Sequence, residues 1–267
     1  MAPATRPAFS LVELLVVITV IVMLLALLAP AMDTAIEQAQ RAVCGANLHA
    51  IQAAMTGYAV QDRKKEVVSC LGKNVQIGFD ANQVESLATV GLAGSSKIHI
   101  GTANFESRPP AEVWNCPSRA FRSAWENQFV DPVPAWQLIV GYQYLGGLEL
   151  WRNPQYPAGI ASRSPRKLNT SGPGWVLAAD ATFKALSSGW GLDRASAFGG
   201  MPSHKRGDSL RPDGGNQAHM DGSVAWFAFE EMLYIHGWNG DQNRKGFWRQ
   251  TDLGFEVTNG TMLPANN

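Results

Sequence analysis

Two aspartates and two histidines in the C-terminal half of the chain carry the groups of a metal site. Asp180 ends the apolar run VLAAD, and His204 follows in PSHKRGD. His219 and Asp221 both belong to HMDG. Imidazole nitrogens and carboxylate oxygens bind Zn²⁺, and carboxylate oxygens also bind Ca²⁺. If the four side chains converge on one edge of a sheet, we expect them to hold a divalent cation such as Ca²⁺ or Zn²⁺.

The same residues also have simpler interpretations. The stretch HMDGSVAWF has the pattern of a strand, a DG turn and a second strand, in which Asp221 would serve only the turn. Ser203, His204 and the two aspartates supply the groups of a hydrolase, but the chain has no G-x-S-x-G elbow. It also has no EF-hand loop and no HExxH motif. We therefore predict that the protein is not an enzyme, and rank an envelope metal-dependent enzyme as the third hypothesis.

Composition restricts the function classes further. The 267 residues include 22 basic and 22 acidic side chains, so the formal net charge is zero. A nucleic-acid-binding protein needs a basic face, and none is expected here. With 26 glycines, 15 prolines and only 16% charged residues, the chain is typical of a loop-rich, β-leaning protein. Its three cysteines, Cys44, Cys70 and Cys116, allow at most one disulfide and contain no CxxC pair.

The N-terminal segment carries a carboxylate beside a long apolar run. No charge occurs from Leu14 to Met32, about the 20 residues that cross a ~30 Å hydrocarbon core. Glu13 directly precedes this run, at its N-terminal end. An ionised carboxylate within a membrane-spanning helix costs roughly 2.5–3.5 kcal/mol on insertion scales. A secretory signal cleaved near Ala29–Ala31 would have an unusually long apolar region, and a plain membrane anchor leaves Glu13 unexplained. Arg6 is the only charge before Glu13 and favours a cytoplasmic N-terminus.

The stretch AFSLVE followed by the apolar run resembles the processing site of type IV prepilins and type II secretion pseudopilins. This resemblance implies that a prepilin peptidase cleaves between Ala8 and Phe9 and methylates the new amine of Phe9. Ala8 stands where the family more often has Gly. The resemblance also implies that Glu13 pairs with the N-terminal amine of a neighbouring subunit in a fibre. Pro30 falls where many pilins have a helix-kinking proline.

The head carries motifs that resemble those of the large prepilin-like families of planctomycetes. They are CPS, YQYLGG, VLAAD and PSHKRGDSLRPDGGNQAHMDGSVAWF, and the resemblance covers residues 8–58 and 110–229. Cys44 and Cys116 match positions that are often cysteine in those proteins. A disulfide between them would tie the helix to the head and stabilise it by about 2–4 kcal/mol. Cys70 is a rival partner, and three buried free thiols are the other alternative.

The resemblance implies a location and partners. We expect a single-pass protein of the cytoplasmic (inner) membrane, with membrane lipid around its helix and its head on the periplasmic or extracellular side. After processing it would self-associate with like or related pilins, assembled by an inner-membrane platform. Major pseudopilins use a Ca²⁺ site in the head, which is a further argument for a metal here.

Hydrophobic periodicity indicates an α+β fold, in which a long N-terminal helix packs on an antiparallel β-sheet head. We expect one helix from Ser10 to Tyr58, bent at Pro30 and ended by the charged turn QDRKKE. The expected organisation is a leader over residues 1–8, a transmembrane or fibre-core helix over 9–32, an amphipathic helix over 33–60 and a β-rich head over 61–267. Strands are expected within residues 65–70, 96–101, 136–146, 174–180 and 223–229, and an exposed loop over 152–174.

Nine tryptophans support an alternative function. Exposed aromatic rings stack on sugars, and Ile235–Trp248 contains a stretch that could form such a surface. Buried aromatic rings in a core are the other interpretation. The leading hypothesis is thus a structural subunit of a type IV pilus-like or type II secretion fibre. The alternative is a membrane-anchored or secreted carbohydrate-binding module whose partner is a polysaccharide.

Overall fold

The computed structural model describes residues 10–72, 77–101, 105–119, 121–130, 133–185, 190, 202–205, 209–237, 244–254 and 263–264. The chain falls into two compact units, one up to Ala39 and one from Gln40 onward. The fold is α+β, with a long apolar N-terminal helix and several antiparallel sheets, as the sequence predicts at this level.

Helix α1 runs from Leu11 to Gln61 without interruption. Its start is a capping box, in which Glu13 N donates to Ser10 Oγ at 3.2 Å and Ser10 N donates to Glu13 Oε2 at 2.8 Å. Pro30 lies inside the helix. The end at Gln61 matches the predicted charged turn, where Asp62 Oδ2 accepts hydrogen bonds from the backbone amides of Lys64 and Glu66. The predicted helix is therefore confirmed to within three residues at each end.

In the first unit, the apolar side chains of α1 face outward. Every described residue from Ser10 to Ala35 is exposed, and an 18-residue window of the helix has a mean hydropathy of 3.1. This segment is long and apolar enough to cross a membrane. Apolar surface of this extent needs a cover of lipid or protein.

In the second unit, α1 buries one face. The buried residues recur at helical spacing, and they are Cys44, Leu48, Ile51, Gln52, Met55 and Ala59. A short helix α2, Ala81–Ala88, follows a second capping box, formed by Asp80 and Gln83. Its apolar face buries Val84 and Leu87.

Fifteen strands build the described part of the head. In chain order they are β1 (Gly78–Phe79), β2 (Ile98–His99), β3 (Glu106–Ser107), β4 (Ala124–Val130), β5 (Val133–Ile139), β6 (Tyr142–Tyr144), β7 (Leu150–Asn153), β8 (Tyr156–Ala161), β9 (Val176–Asp180), β10 (Phe183–Ala185), β11 (Gly214–His219), β12 (Val224–Ala228), β13 (Leu233–Gly237), β14 (Arg244–Trp248) and β15 (Leu263–Pro264). Two sheets have four strands, in the orders β12-β11-β9-β6 and β10-β14-β13-β15. The others are β1-β5-β4 and the pairs β2-β3 and β7-β8. Each of these strand pairings is antiparallel.

Several strand predictions are confirmed and others are wrong. Strands β2, β9 and β12 lie inside their predicted segments. The segment 136–146 forms two strands instead of one, because the chain leaves the first sheet at Val140 and Gly141. Residues 65–70 make only an isolated bridge, between Glu66 and Lys167. The expected loop 152–174 contains strand β8, whose hairpin with β7 packs Trp151 and Ile160 into the core.

Candidate metal centre

Four buried side chains bring metal-binding atoms together beside helix α1. They are those of Cys44, Cys116, Asp180 and His204, and one ligand atom of each lies within 4.8 Å of the other three. None of the four residues is more than 2% exposed. Two thiols, one carboxylate and one imidazole therefore form a single cluster inside the head.

Each member of this cluster comes from a different element. Cys44 lies on the buried face of α1. Cys116 follows a short 3-10 helix, Glu112–Trp114. Asp180 is the last residue of β9, and His204 lies in a bend after it. The cluster thus joins the helix to the β12-β11-β9-β6 sheet.

A close backbone approach positions Cys116. Gly141 N donates to the carbonyl oxygen of Trp114 at 2.9 Å. A Cβ atom on Gly141 would overlap that oxygen and lie 3.1 Å from Cys116 N. Only glycine allows the segment before β6 to pass so close to the CPS turn.

His204 adopts an uncommon backbone conformation. Its φ is 52°, in the left-handed region that residues other than glycine rarely occupy. Two hydrogen bonds hold it there, since its amide donates to Ser118 Oγ at 2.9 Å and its carbonyl oxygen accepts from Asp213 N at 2.8 Å. The imidazole also meets the Trp226 ring edge-on, with ring centroids 5.3 Å apart. The left-handed conformation is thus held by contacts on several sides.

The two carboxylate oxygens of Asp180 have different surroundings. Its Oδ2 accepts from Asn216 N at 2.7 Å and from Asn216 Nδ2 at 3.0 Å. The same Oδ2 lies 3.2 Å from His204 Nε2. Its Oδ1 is buried and has no hydrogen-bond partner among the residues that the structure describes. A carboxylate held in this way has an acceptor available for a further ligand.

The two cysteines of the cluster are in direct contact. Their Sγ atoms are 2.8 Å apart, and the structure has both as free thiols. Cys70 is also free and buried, but it does not belong to the cluster. The predicted disulfide between Cys44 and Cys116 remains a prediction, with its two sulfurs adjacent.

The groups of the cluster perturb one another's ionisation. The hydrogen bond with Cys44 lowers the pKa of Cys116 to about 6, against the effect of burial. Burial lowers the pKa of His204, but hydrogen bonds to Asp180 and Cys116 outweigh it and raise the pKa to about 10. The hydrogen bond with Cys116, together with burial, raises the pKa of Cys44. At neutral pH these shifts favour a thiolate at Cys116 beside an imidazolium at His204.

Two polar residues lie around the cluster. Burial raises the pKa of Tyr142, whose hydroxyl accepts a hydrogen bond from Asn47 Nδ2 at 3.0 Å. Burial also lowers the pKa of Arg119 to about 10, so its guanidinium stays charged at neutral pH. Arg119 donates to the carbonyl oxygen of Gly141 at 2.9 Å. A buried positive charge therefore lies in the electrostatic field of Cys116 and Asp180.

The structure brings together two of the four predicted ligands and places the other two elsewhere. Asp180 and His204 meet in the cluster. His219 and Asp221 lie at the turn between β11 and β12, where Asp221 Oδ1 accepts from Ser223 N at 2.9 Å and from Ser223 Oγ at 2.7 Å. His219 Nδ1 is 3.3 Å from the same hydroxyl. Asp221 thus serves the turn, and two cysteines take the places expected for His219 and Asp221.

At the N-terminus, the capping box gives Glu13 a structural role that the sequence analysis missed. The S-x-x-E spacing of Ser10 and Glu13 is the signal that would have found it. The predicted processing residues Ala8 and Phe9 lie outside the described residues.

The tryptophans that support the carbohydrate-binding alternative are largely inside the head. Trp114, Trp151 and Trp248 are fully buried. The other five described tryptophans are partly buried, and Trp238 lies outside the described residues. In the described chain, the core interpretation therefore accounts for these rings better than an exposed stacking platform does.

The ligand set decides which cation the cluster could hold. Thiolate sulfur and imidazole nitrogen are ligands of Zn²⁺, whereas Ca²⁺ takes oxygen ligands. The cluster therefore fits zinc and does not fit calcium.

No protein-family model matches the chain, and no curated protein or solved structure shows significant similarity to it.

Proposed function

We propose that the protein is a pilin- or pseudopilin-like structural subunit of a type IV pilus-like or type II secretion fibre. The observation that carries this proposal is helix α1. One continuous helix of 51 residues has an exposed apolar first half and a second half with a buried face in a β-rich head. Such a helix supplies both a membrane anchor and the core of a fibre.

Two environments can cover the apolar half of α1. Before assembly it would lie in the cytoplasmic membrane, with the head on the periplasmic or extracellular side. After assembly it would pack against the same helix of other subunits. The change from lipid to protein retains the burial of the large aliphatic side chains between Leu11 and Met32.

Glu13 supports the proposal through the cost of its charge. A carboxylate in an apolar helix bundle is stable only when it is paired. Within one chain, the described hydrogen bonds of Glu13 outside the helix backbone are those of the capping box with Ser10, a neutral residue. In a fibre, the methylated amine of Phe9 from a neighbouring subunit would supply the opposite charge and define the register between subunits.

The first test is the mature N-terminus. We would extract the full-length protein from membranes, with and without co-expressed prepilin peptidase, and measure intact mass and N-terminal sequence. The proposal predicts a chain that starts at N-methyl-Phe9 only when the peptidase is present.

Two other outcomes would overturn the proposal. A chain that still starts at Met1 with the peptidase present would be an anchored head. A chain that starts at Met32 would be a secreted head, released by signal peptidase after Ala31. Either result would make the binding module the leading hypothesis. An Ala8→Gly variant, which restores the residue more common in the family, should be processed at least as fast as the wild type.

A further inference from the structure

We propose that Cys44, Cys116, Asp180 and His204 bind one Zn²⁺ ion in a closed structural site that clamps helix α1 to the head. This inference does not rest on the proposed function, because it concerns only residues of the second unit.

The number and type of ligands indicate a structural site. Structural zinc sites have four protein ligands in a tetrahedron, whereas catalytic sites keep one position open for water. Here four protein ligands are present, and each is almost completely buried. A tetrahedral zinc ion in this cluster would therefore have no position left for a substrate.

The distances fit a tetrahedron after a small adjustment. Zinc bonds of about 2.0–2.3 Å place neighbouring ligand atoms roughly 3.3–3.8 Å apart. The ligand atoms of the cluster are all within 4.8 Å of one another, and the two sulfurs are 2.8 Å apart. A rotation of the two cysteine side chains that moves the sulfurs about 1 Å further apart would make room for the ion.

The surroundings of the cluster resemble the outer shell of a metal site. Ligating carboxylates are usually oriented by hydrogen bonds to their other oxygen. Asn216 holds Asp180 Oδ2 with two donors, and Asp180 Oδ1 has no partner among the described residues. Two thiolates, one carboxylate and Zn²⁺ would carry one net negative charge. Arg119, which is buried and attracted by Cys116 and Asp180, would balance it.

A disulfide explains less of the cluster. It would use only Cys44 and Cys116, and would leave a buried carboxylate and a buried imidazole with no role in holding the sulfurs. Asp180 and His204 would still pair with each other, but the buried Oδ1 of Asp180 would have no hydrogen-bond partner among the described residues, which is costly. Zinc uses all four groups at once.

The direct experiment uses the full-length wild-type protein, extracted in a mild detergent without chelators or reductants. Zinc is measured by inductively coupled plasma mass spectrometry. Thiols are counted by alkylation of the unfolded, chelator-treated protein and intact mass. We expect one zinc ion per chain and three alkylated cysteines.

Two results would overturn the inference. One is a Cys44–Cys116 disulfide in a protein without zinc. The other is a protein with three free thiols that takes up no zinc when the ion is added. Replacement of zinc by Co²⁺ gives a second measurement that needs no variant. We expect the charge-transfer and d–d absorption of a tetrahedral cobalt–thiolate site, and a spectrum without charge transfer from sulfur would contradict the assignment.

Two variants and one control connect the ion to these ligands. Cys116→Ala removes a sulfur, and His204→Asn removes the imidazole while keeping a residue type that tolerates the left-handed backbone. Both should lose the bound zinc. Cys70→Ala alters the third buried cysteine, which lies outside the cluster, and should keep the full zinc content. Equal zinc content in all three variants would show that the ion binds elsewhere.

Discussion

Cys44 and Cys116 are 72 residues apart in the chain, and their Sγ atoms are 2.8 Å apart in the folded head. Cys44 belongs to the helix that would also form the fibre core, and Cys116 follows the 3-10 helix Glu112–Trp114. Whatever joins these two sulfurs therefore couples the helix to the head. Zinc coordination by Asp180 and His204 at the same point would make that coupling part of the folding of the head.

Asp180→Asn should destabilise the head strongly. The carboxylate is fully buried beside His204, and removing one partner of a buried charged pair costs about 3–5 kcal/mol. Zinc should be lost as well. The measurements are chemical denaturation of the detergent-solubilised protein and its metal content.

Asp221→Asn is the matched control for Asp180→Asn. Asp221 is exposed in the β11–β12 turn, and an asparagine there retains an oxygen that can accept from Ser223. The expected change in the free energy of unfolding is within about 0.5 kcal/mol, with full zinc content. Equal effects of the two substitutions would contradict the assignment of Asp180 to the cluster and of Asp221 to the turn.

Gly141→Ala should displace Cys116. The new Cβ would overlap the carbonyl oxygen of Trp114, and the backbone shift that relieves this overlap moves the CPS turn. Overpacking of this kind costs about 1–3 kcal/mol. Thermal unfolding should show the loss of stability. Zinc affinity should fall because the sulfur of Cys116 moves.

Gly57→Ala tests the same chemical change where the space is open. Gly57 lies on helix α1, and a Cβ there would meet no atom within 4 Å. Alanine should stabilise the helix by about 0.5–1 kcal/mol. A stabilising Gly141→Ala, or a destabilising Gly57→Ala, would show that the packing around these glycines differs from this structure.

Asn216→Ala should weaken zinc binding without abolishing it. The substitution removes the side-chain donor to Asp180 Oδ2 and leaves the backbone donor of residue 216 in place. Loss of such an outer-shell contact typically lowers metal affinity by about 10–100-fold. Competition with a chromogenic chelator would measure the change.

Gln52→Ala separates zinc affinity from stability. Gln52 links α1 to the turn between β11 and β12. Its side-chain amide donates a hydrogen bond to the carbonyl oxygen of Met220 at 3.1 Å. Its removal leaves that oxygen unpaired and should cost about 1–3 kcal/mol, with unchanged zinc affinity. If Gln52→Ala weakened zinc binding as much as Asn216→Ala, the effect of Asn216 would be one of stability alone.

Glu13→Gln separates the helix-capping role of Glu13 from its proposed role in fibre assembly. Glutamine at this position retains the capping box with Ser10, so the helix start should be unchanged. The variant lacks the negative charge that would pair with a neighbouring Phe9 amine. We expect normal membrane insertion and processing but loss of fibres, scored by electron microscopy after co-expression with an assembly machinery.

Ser10→Ala is the complementary change. It removes the hydroxyl of the capping box but keeps the charge of Glu13, and should cost about 1 kcal/mol at the helix start. Fibres should still form. Normal fibres from Glu13→Gln together with loss of fibres from Ser10→Ala would assign Glu13 to the helix cap only.

Local sequence patterns predicted much of the fold. The 3.6-residue periodicity and the uncharged run predicted helix α1 and its two different halves, because both signals lie within consecutive residues. The apolar run of β9 and the DG turn before β12 were equally visible. Strands β7 and β8 were missed, because the segment 152–174 contains many Pro, Arg and Ser residues, which are typical of a loop, and the pairing of the two strands with each other is not visible in the sequence.

The cluster shows the limit of such patterns. The types of Asp180 and His204 made them candidate ligands from the sequence alone, and the structure places both in the cluster. Their partners could not be identified, because residues 44, 116, 180 and 204 share no local spacing. Three tertiary features bring the four residues together. They are the packing of α1 on the sheet, the close backbone approach at Gly141 and the left-handed conformation of His204. The sequence by itself thus determined helix α1, several strands and the types of two candidate ligands, and only the tertiary structure decided that two cysteines join them in one cluster.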